Sequence, residues 1–358
     1  TIYDAGINFA PTENLVFRAS YGEGFRAPHI GELFNTGSRF DASISDPCDT
    51  AANPQQPANC GALGVDPNYV SLNPQVSVTT GGNATLTPET SDTWTVGFSW
   101  DIPMDNSSLI ESMLLEVNYY DIEIDDAIQP PDAQDVLDLC VQTLDPFFCD
   151  NITRVGSGTI TRIDGVLLNI GGIETSGYDW KLETVFADSD YGQFRVQWLN
   201  TYLSDYTEIV TTPSGDLRFS REGTELGSPE RAFFEWKSTI NLDWVMNDWS
   251  AHLGLRYLDS ITEQCVGLVA DFGFSNLCSD PAGVTNKIDS TLWTDVQFTW
   301  SPSDFTAGDG GWKFSLGVDN LFDEDIPYCF SCDLNTMDGT VYPIPGQFWY
   351  ARIVFETD

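Results

Sequence analysis

Positive charge is what this chain has least of: 15 Lys and Arg stand against 54 Asp and Glu, a formal charge of −39 at pH 7. No basic patch exists to meet phosphates, which excludes nucleic acid as a partner. The acid excess speaks to solubility and self-repulsion, and suits a salty external medium that screens the surface. Histidine is scarcer still. His29 and His252 are the only two, too few for a metalloprotease helix or a histidine-rich metal site. No G-x-S-x-G turn supports a Ser-His-Asp grouping, and no helix in a βα setting follows Gly22-x-Gly24. The chain reads as no enzyme, with no cofactor and no resident metal. Long apolar runs are also missing, since none approaches the ~20 residues of a transmembrane helix. A membrane barrel is untouched by that absence, because its strands bury only alternate residues. No initiator Met or signal peptide precedes Thr1, which falls inside a strand pattern, so upstream sequence is expected.

What is present alternates. Hydrophobic residues make up 41% and mean hydropathy is −0.18, so the chain is neither disordered nor a helical membrane protein. Strand patterns of period two run through residues 2–10, 15–22, 90–102, 112–126, 173–186, 193–205, 231–245, 249–261, 289–300, 313–322 and 346–356. The plainest is 231–245, with Phe234, Trp236, Ile240, Leu242 and Trp244 on one face and Glu235, Lys237, Thr239, Asn241 and Asp243 on the other. In 112–126 the alternation slips, because Leu115, Val117 and Tyr119 share one face while Ile122 and Ile124 take the other. A bulge near Tyr120 would account for it. Short turns and long loops alternate, so every long loop lies on one side. Trp244 and Trp249 flank one short turn, Trp300 and Trp312 another, as an aromatic girdle at a membrane interface would; a soluble β-sandwich with core Trp is the alternative.

The long loops carry the eight cysteines as close neighbours: Cys48 and Cys60, Cys140 and Cys149, Cys265 and Cys278, Cys329 and Cys332. Four local disulfides in an oxidising compartment is the simple reading, with a redox or zinc Cys-x-x-Cys at 329–332 as the alternative. The loop from 125 to about 168 holds a helix, whose one face is Ala133, Val136, Leu137, Cys140, Val141 and Leu144. Nine acids and no Lys or Arg lie between Asp121 and Asp150, so this lid is strongly negative.

Three stretches resemble a known family. FRAP at 25–28, then an N-x-x-L-x-P-E box (Asn83, Leu86, Pro88, Glu89), then LGVDNLFDEDIPY at 316–328 resemble the barrel of TonB-dependent outer-membrane receptors. The resemblance implies an all-β antiparallel transmembrane barrel with short periplasmic turns and long extracellular loops. About eleven strands are present, and the family has about 22, so residues 1–358 correspond to the C-terminal segment, with plug domain and N-terminal strands absent. The resemblance further implies a Gram-negative outer membrane and active uptake of a scarce nutrient: siderophore, cobalamin, oligosaccharide or peptide. Implied partners are the TonB complex through the missing N-terminal region, membrane lipid and lipopolysaccharide, and the rest of barrel and plug. A passive porin and a secreted soluble binding module are the other readings. Haem receptors of the family place a ligating His between the two boxes, and His29 follows FRAP directly. Candidate lumen or loop contacts to cargo are Arg18, Arg26, His29, Glu235, Lys237, Asp243 and Arg256. The acidic loops favour a neutral or cationic cargo.

Overall fold

The computed structural model describes residues 2–357 apart from 52, 73–74, 106–108, 131, 213–214, 228–229, 265–284, 303–305, 308–309, 333–335 and 344. Thirteen strands join in one antiparallel sheet. Eleven of them form a wall in chain order: Asp4–Thr12, Leu15–Arg26, Glu89–Asp101, Ile110–Asp125, Gly172–Phe186, Gln193–Thr212, Trp236–Met246, Trp249–Leu258, Thr291–Trp300, Gly310–Asp319 and Phe348–Thr357. Each pairs with the next, as hairpins do when every second connection is short. Among the described residues the sheet is not closed: its first and last wall strands each pair on one side only. A self-contained barrel would join those edges.

The convex face is apolar and open. Trp94 is 53% exposed, Val96 51%, Trp349 60% and Ile353 65%. A sandwich would cover such a face with a second sheet; among the described residues none does. Aromatic pairs collect at both ends. Near the short turns Trp249 lies 6.0 Å from Trp300, Trp312 lies 4.8 Å from Phe355, and the Trp244 indole donates to the Tyr191 carbonyl at 2.7 Å. Near the loops come Tyr21 with Trp94, Tyr119 with Tyr178, and Trp180 with Trp236.

The buried apolar clusters lie mostly in the loops, joined by Ile173, Leu258 and Trp293 from wall strands. Loops 27–88 and 126–171 fold together as one cap. Strands Ser38–Ser43, Gln75–Thr80, Thr159–Asp164 and Ile152–Val155 form its sheet, in which Gln75–Thr80 runs parallel to Thr159–Asp164 of the other loop. Helix Ala133–Thr143 packs on it, burying Ala133, Val136, Leu137, Leu139, Cys140 and Val141. A second cap draws on the last three loops. It joins Glu230–Ala232, Thr224–Gly227, Ile261–Gln264 and Thr285–Ile288, and packs Phe234, Trp293 and Tyr342 around Cys329 and Cys332.

Four expectations from sequence change here. No bulge occurs at Tyr120, because pairing runs unbroken from Asp125 to Leu114; the slip falls two strands on, where Ser204 is the extra residue between Asp205 and Leu203. Ile122 and Ile124 change face because the strand has risen into the loops, where Ile124 packs on Ala127, Ile170 and Ile173. Phe234 does not share the face of Trp236, Ile240, Leu242 and Trp244. It lies before the strand, 3% exposed, edge-on to Tyr342. Leu144 leaves the helix face and caps its end at φ 56°. Finally, residues from about 23 to 85, which by their Asn, Pro, Ser and Gly content read as one long loop, contribute half of a sheet whose partners come from another loop.

Candidate functional site

The three motifs of the sequence build the rim between wall and caps. Arg26 of FRAP faces Glu89 of the second box across adjacent strands and bonds it through Nε. Its Nη1 reaches both Glu32 oxygens, at 2.8 and 3.0 Å. Glu89 then accepts from the Ile128 N–H at 2.6 Å, so one arginine ties three loop bases. Burial alone would raise the Glu32 carboxyl, but bonds from Arg26 and the His29 N–H hold it below the usual range. His29 caps helix Ile30–Phe34, its Nδ1 accepting from Gly31 and Glu32 at 3.1 and 3.2 Å. Nδ1 is therefore the unprotonated nitrogen. Gly82 presses on that helix so closely that a Cβ would meet the Asn35 nitrogen at 2.6 Å. At the third motif Asn320 takes φ 53° and exchanges bonds with Glu324, turning the chain out of the wall.

Below the rim the concave face is polar. Registers place Arg18, Lys181, Arg195, Lys237, Arg256, Lys313 and Arg352 on it, seven of the 15 cations. Glu116 pairs with Arg18 at 3.3 Å, and Asp243 with His252 at 2.7 Å. Two depressions of about 320 and 450 Å³ open on this face. Asp179, Lys181, Thr201, Lys237 and Thr239 line the first; Arg195, Asp243, His252 and Gln297 line the second.

Above the rim a buried ion network clasps the first cap to the wall's extension. Arg221, 6% exposed, donates to Asp135 of the helix and, at 2.8 Å, to Glu208 of strand Gln193–Thr212. Arg231 donates to the other Glu208 oxygen and to Gln129 at 2.5 Å. Burial makes such pairs costly to break. The apolar recess beside the clasp is about 30 Å³, room for little more than one water, so it is no cargo pocket.

Two carboxyls of this cap carry protons unusually high. Burial, then the neighbouring Asp135, pushes the helix-capping Asp132 up to about 7, against the pull of Arg221 and Arg231. Burial pushes Asp138 up to about 6 despite its bond from Gln134. Both lie above the unfolded value, so the folded cap binds more protons than the unfolded one. Its stability is full near pH 4 and falls as pH rises through about 6 and 7. Hydrogen exchange over Ala133–Thr143, corrected for intrinsic rates, should show protection dropping from pH 5 to pH 8, with the drop reduced in Asp132→Asn. Protection that holds or grows over that range would contradict the assignment.

The residues proposed from sequence fall in three places. Arg26 and His29 hold the rim; Arg18, Lys237, Asp243 and Arg256 line the concave face, Arg256 with its guanidinium 5.4 Å over Trp293. Glu235 sits just before its strand, where its carbonyl accepts from the Leu203 N–H at 2.8 Å. Arg18 and Arg26 lie strands away from Lys237, Asp243 and Arg256, which share one hairpin. The clasp was missed. Its signal was present, since Arg221 and Arg231 are rare cations in an acid-rich loop. Cysteines pair within single loops: Cys48 with Cys60, Cys140 with Cys149 and Cys329 with Cys332, at Cα separations of 5.7, 4.8 and 5.4 Å. Cys265 and Cys278 lie outside the described residues.

A family model described as "TonB dependent receptor-like, beta-barrel" matches residues 1–321. A mutant ferric enterobactin receptor from Pseudomonas aeruginosa, solved with enterobactin, is similar with TM-score 0.53 and 14% identity over 98% of this chain and 40% of that one. The siderophore receptor PirA from Acinetobacter baumannii is similar with TM-score 0.52 and 13% identity, again over 98% and 40%. At such identities the likeness shows the fold alone. The chain spans about two-fifths of the length of these receptors. No curated protein matches it.

Proposed function

The chain belongs to the TonB-dependent receptor β-barrel family, and from that premise we propose that it forms the C-terminal wall and capture loops of an outer-membrane active-transport receptor. The family is one of transport receptors. In this reading the convex face meets membrane lipid and lipopolysaccharide, and the open edges meet the earlier strands. A plug occupies the concave side, and the TonB complex acts on that plug through the N-terminal region. One observation carries the reading. All five long loops rise at one end of the wall, and they fold into stapled caps over a concave, charge-mixed face.

The cargo we infer is a scarce nutrient that is neutral or cationic, such as an oligosaccharide or peptide. Seven cations on the concave face leave the loops with eight for most of the acids, so the mouth is negative. Such a field slows anions and speeds cations, and the effect fades with salt. Binding by the full-length receptor should be measured across a ligand panel at low and high salt. Cationic and neutral ligands should bind best, the former less well as salt rises. Tight binding of a polyanionic ferric siderophore that weakens with salt would show positive steering and overturn the inference.

A further inference from the structure

The second cap carries a cluster of metal-ligating atoms that cargo capture does not use. Cys329 and Cys332 are buried, 0% and 4% exposed, and two glutamates flank them, Glu225 at 2% and Glu263 at 1%. Those glutamates are Cα partners on parallel strands, which sets their side chains next to one another. Cys332 Sγ lies 3.9 Å from Glu225 Oε1 and Cys329 Sγ 3.3 Å from Glu263 Oε2. The ligand atoms of Glu225, Cys329 and Cys332 all fall within 4.8 Å of one another. Glu263 is fixed by neutral donors: Asn286 Nδ2 at 2.7 Å, Phe330 N at 2.9 Å, and Ser331 N and Oγ both at 2.8 Å. The loop carrying the cysteines has no Lys or Arg from 320 to 347.

We propose that Cys329, Cys332 and Glu225 form a thiolate site for a borderline-soft divalent metal of the zinc class once their disulfide is reduced. With the S–S bond broken and the sulfurs free to separate, two thiols and a carboxylate gathered within 4.8 Å are a three-ligand set with one position to spare. Glu263, 3.3 Å from Cys329 Sγ, is a further donor. Electrons balance with a thiol reductant, which supplies two electrons and two protons. The S–S bond breaks, two S–H bonds form, and the reductant leaves as its own disulfide. The metal then displaces both protons. The metal takes over as the staple of loop 320–347 where surroundings are too reducing for the disulfide.

The full-length receptor in detergent, reduced with a phosphine that is then removed, should be titrated with Co²⁺ and Zn²⁺. The other cysteine pairs are controlled by difference against the Cys329→Ser, Cys332→Ser double variant. Wild type should bind one more equivalent, with an added thiolate-to-cobalt charge-transfer absorption. Glu225→Gln should weaken that equivalent at least tenfold while its oxidised form keeps the Cys329–Cys332 bond by mass mapping. Equal uptake by wild type and double variant, no added absorption, or unchanged affinity in Glu225→Gln would each overturn the site. So would a disulfide that resists reduction while the barrel stays folded.

Discussion

Arg221→Met should loosen the first cap by about 3–5 kcal/mol, the usual cost of removing one partner from a buried charge pair. The guanidinium side chain is 7% exposed and its partners Glu208 and Asp135 are 6% and 21% exposed. With it gone, Glu208 keeps Arg231, but Asp135 loses its cation while still acting on the buried Asp132. Hydrogen exchange over helix Ala133–Thr143 reads the loss directly. Adding Asp135→Leu should recover much of it, because Glu208 keeps Arg231 and the penalty comes from the stranded Asp135 charge rather than from lost attraction. A single substitution that costs under about 1 kcal/mol would show that water reaches the clasp.

Ile240→Arg should cost about 2–4 kcal/mol, as a charge on the lipid face near mid-membrane does. Ile240 sits midway along Trp236–Met246, opposite Trp198 on one neighbour and Leu255 on the other, both on the convex side. Thr239 is one residue away on the concave face, between Leu199 and Arg256. Thr239→Arg should therefore be far milder. A refolding titration in lipid or detergent compares the two, and equal costs would remove the case for a membrane wall.

Much of the wall was legible before any coordinates. Period-two alternation in 90–102 and 231–245 assigned Trp94, Val96, Ile240 and Leu242 to one face because a strand's side chains can only alternate. Short turns between Trp pairs marked one rim, and local cysteine spacing marked the other. The boxes were legible as signs of a family, but not as a device. Only the fold showed that Arg26 and Glu89, 63 residues apart, meet on paired strands and anchor a third loop.

The caps were not legible, and the reason is range. The strand Gln75–Thr80 finds its partner Thr159–Asp164 from another loop, and no local pattern encodes a pairing between segments that far apart. Phe234 reads as one more apolar step in an alternating run. Where such a run leaves the wall is set by what packs above it, here Tyr342. The placement of Ile122 and Ile124 has the same origin, since at the loop end of its strand Ile124 packs into a loop core with Ala127, Ile170 and Ile173. By itself, then, the sequence determined which residues share a face along most wall strands and that the chain is acid-rich with its long loops on one side, because both follow from near neighbours. That the strands make a barrel wall is what the resemblance implied. The tertiary structure decided the clasp of Arg221, Glu208 and Asp135 and the joining of five loops into two caps. Those contacts exist only once the wall has brought distant loops to a common rim.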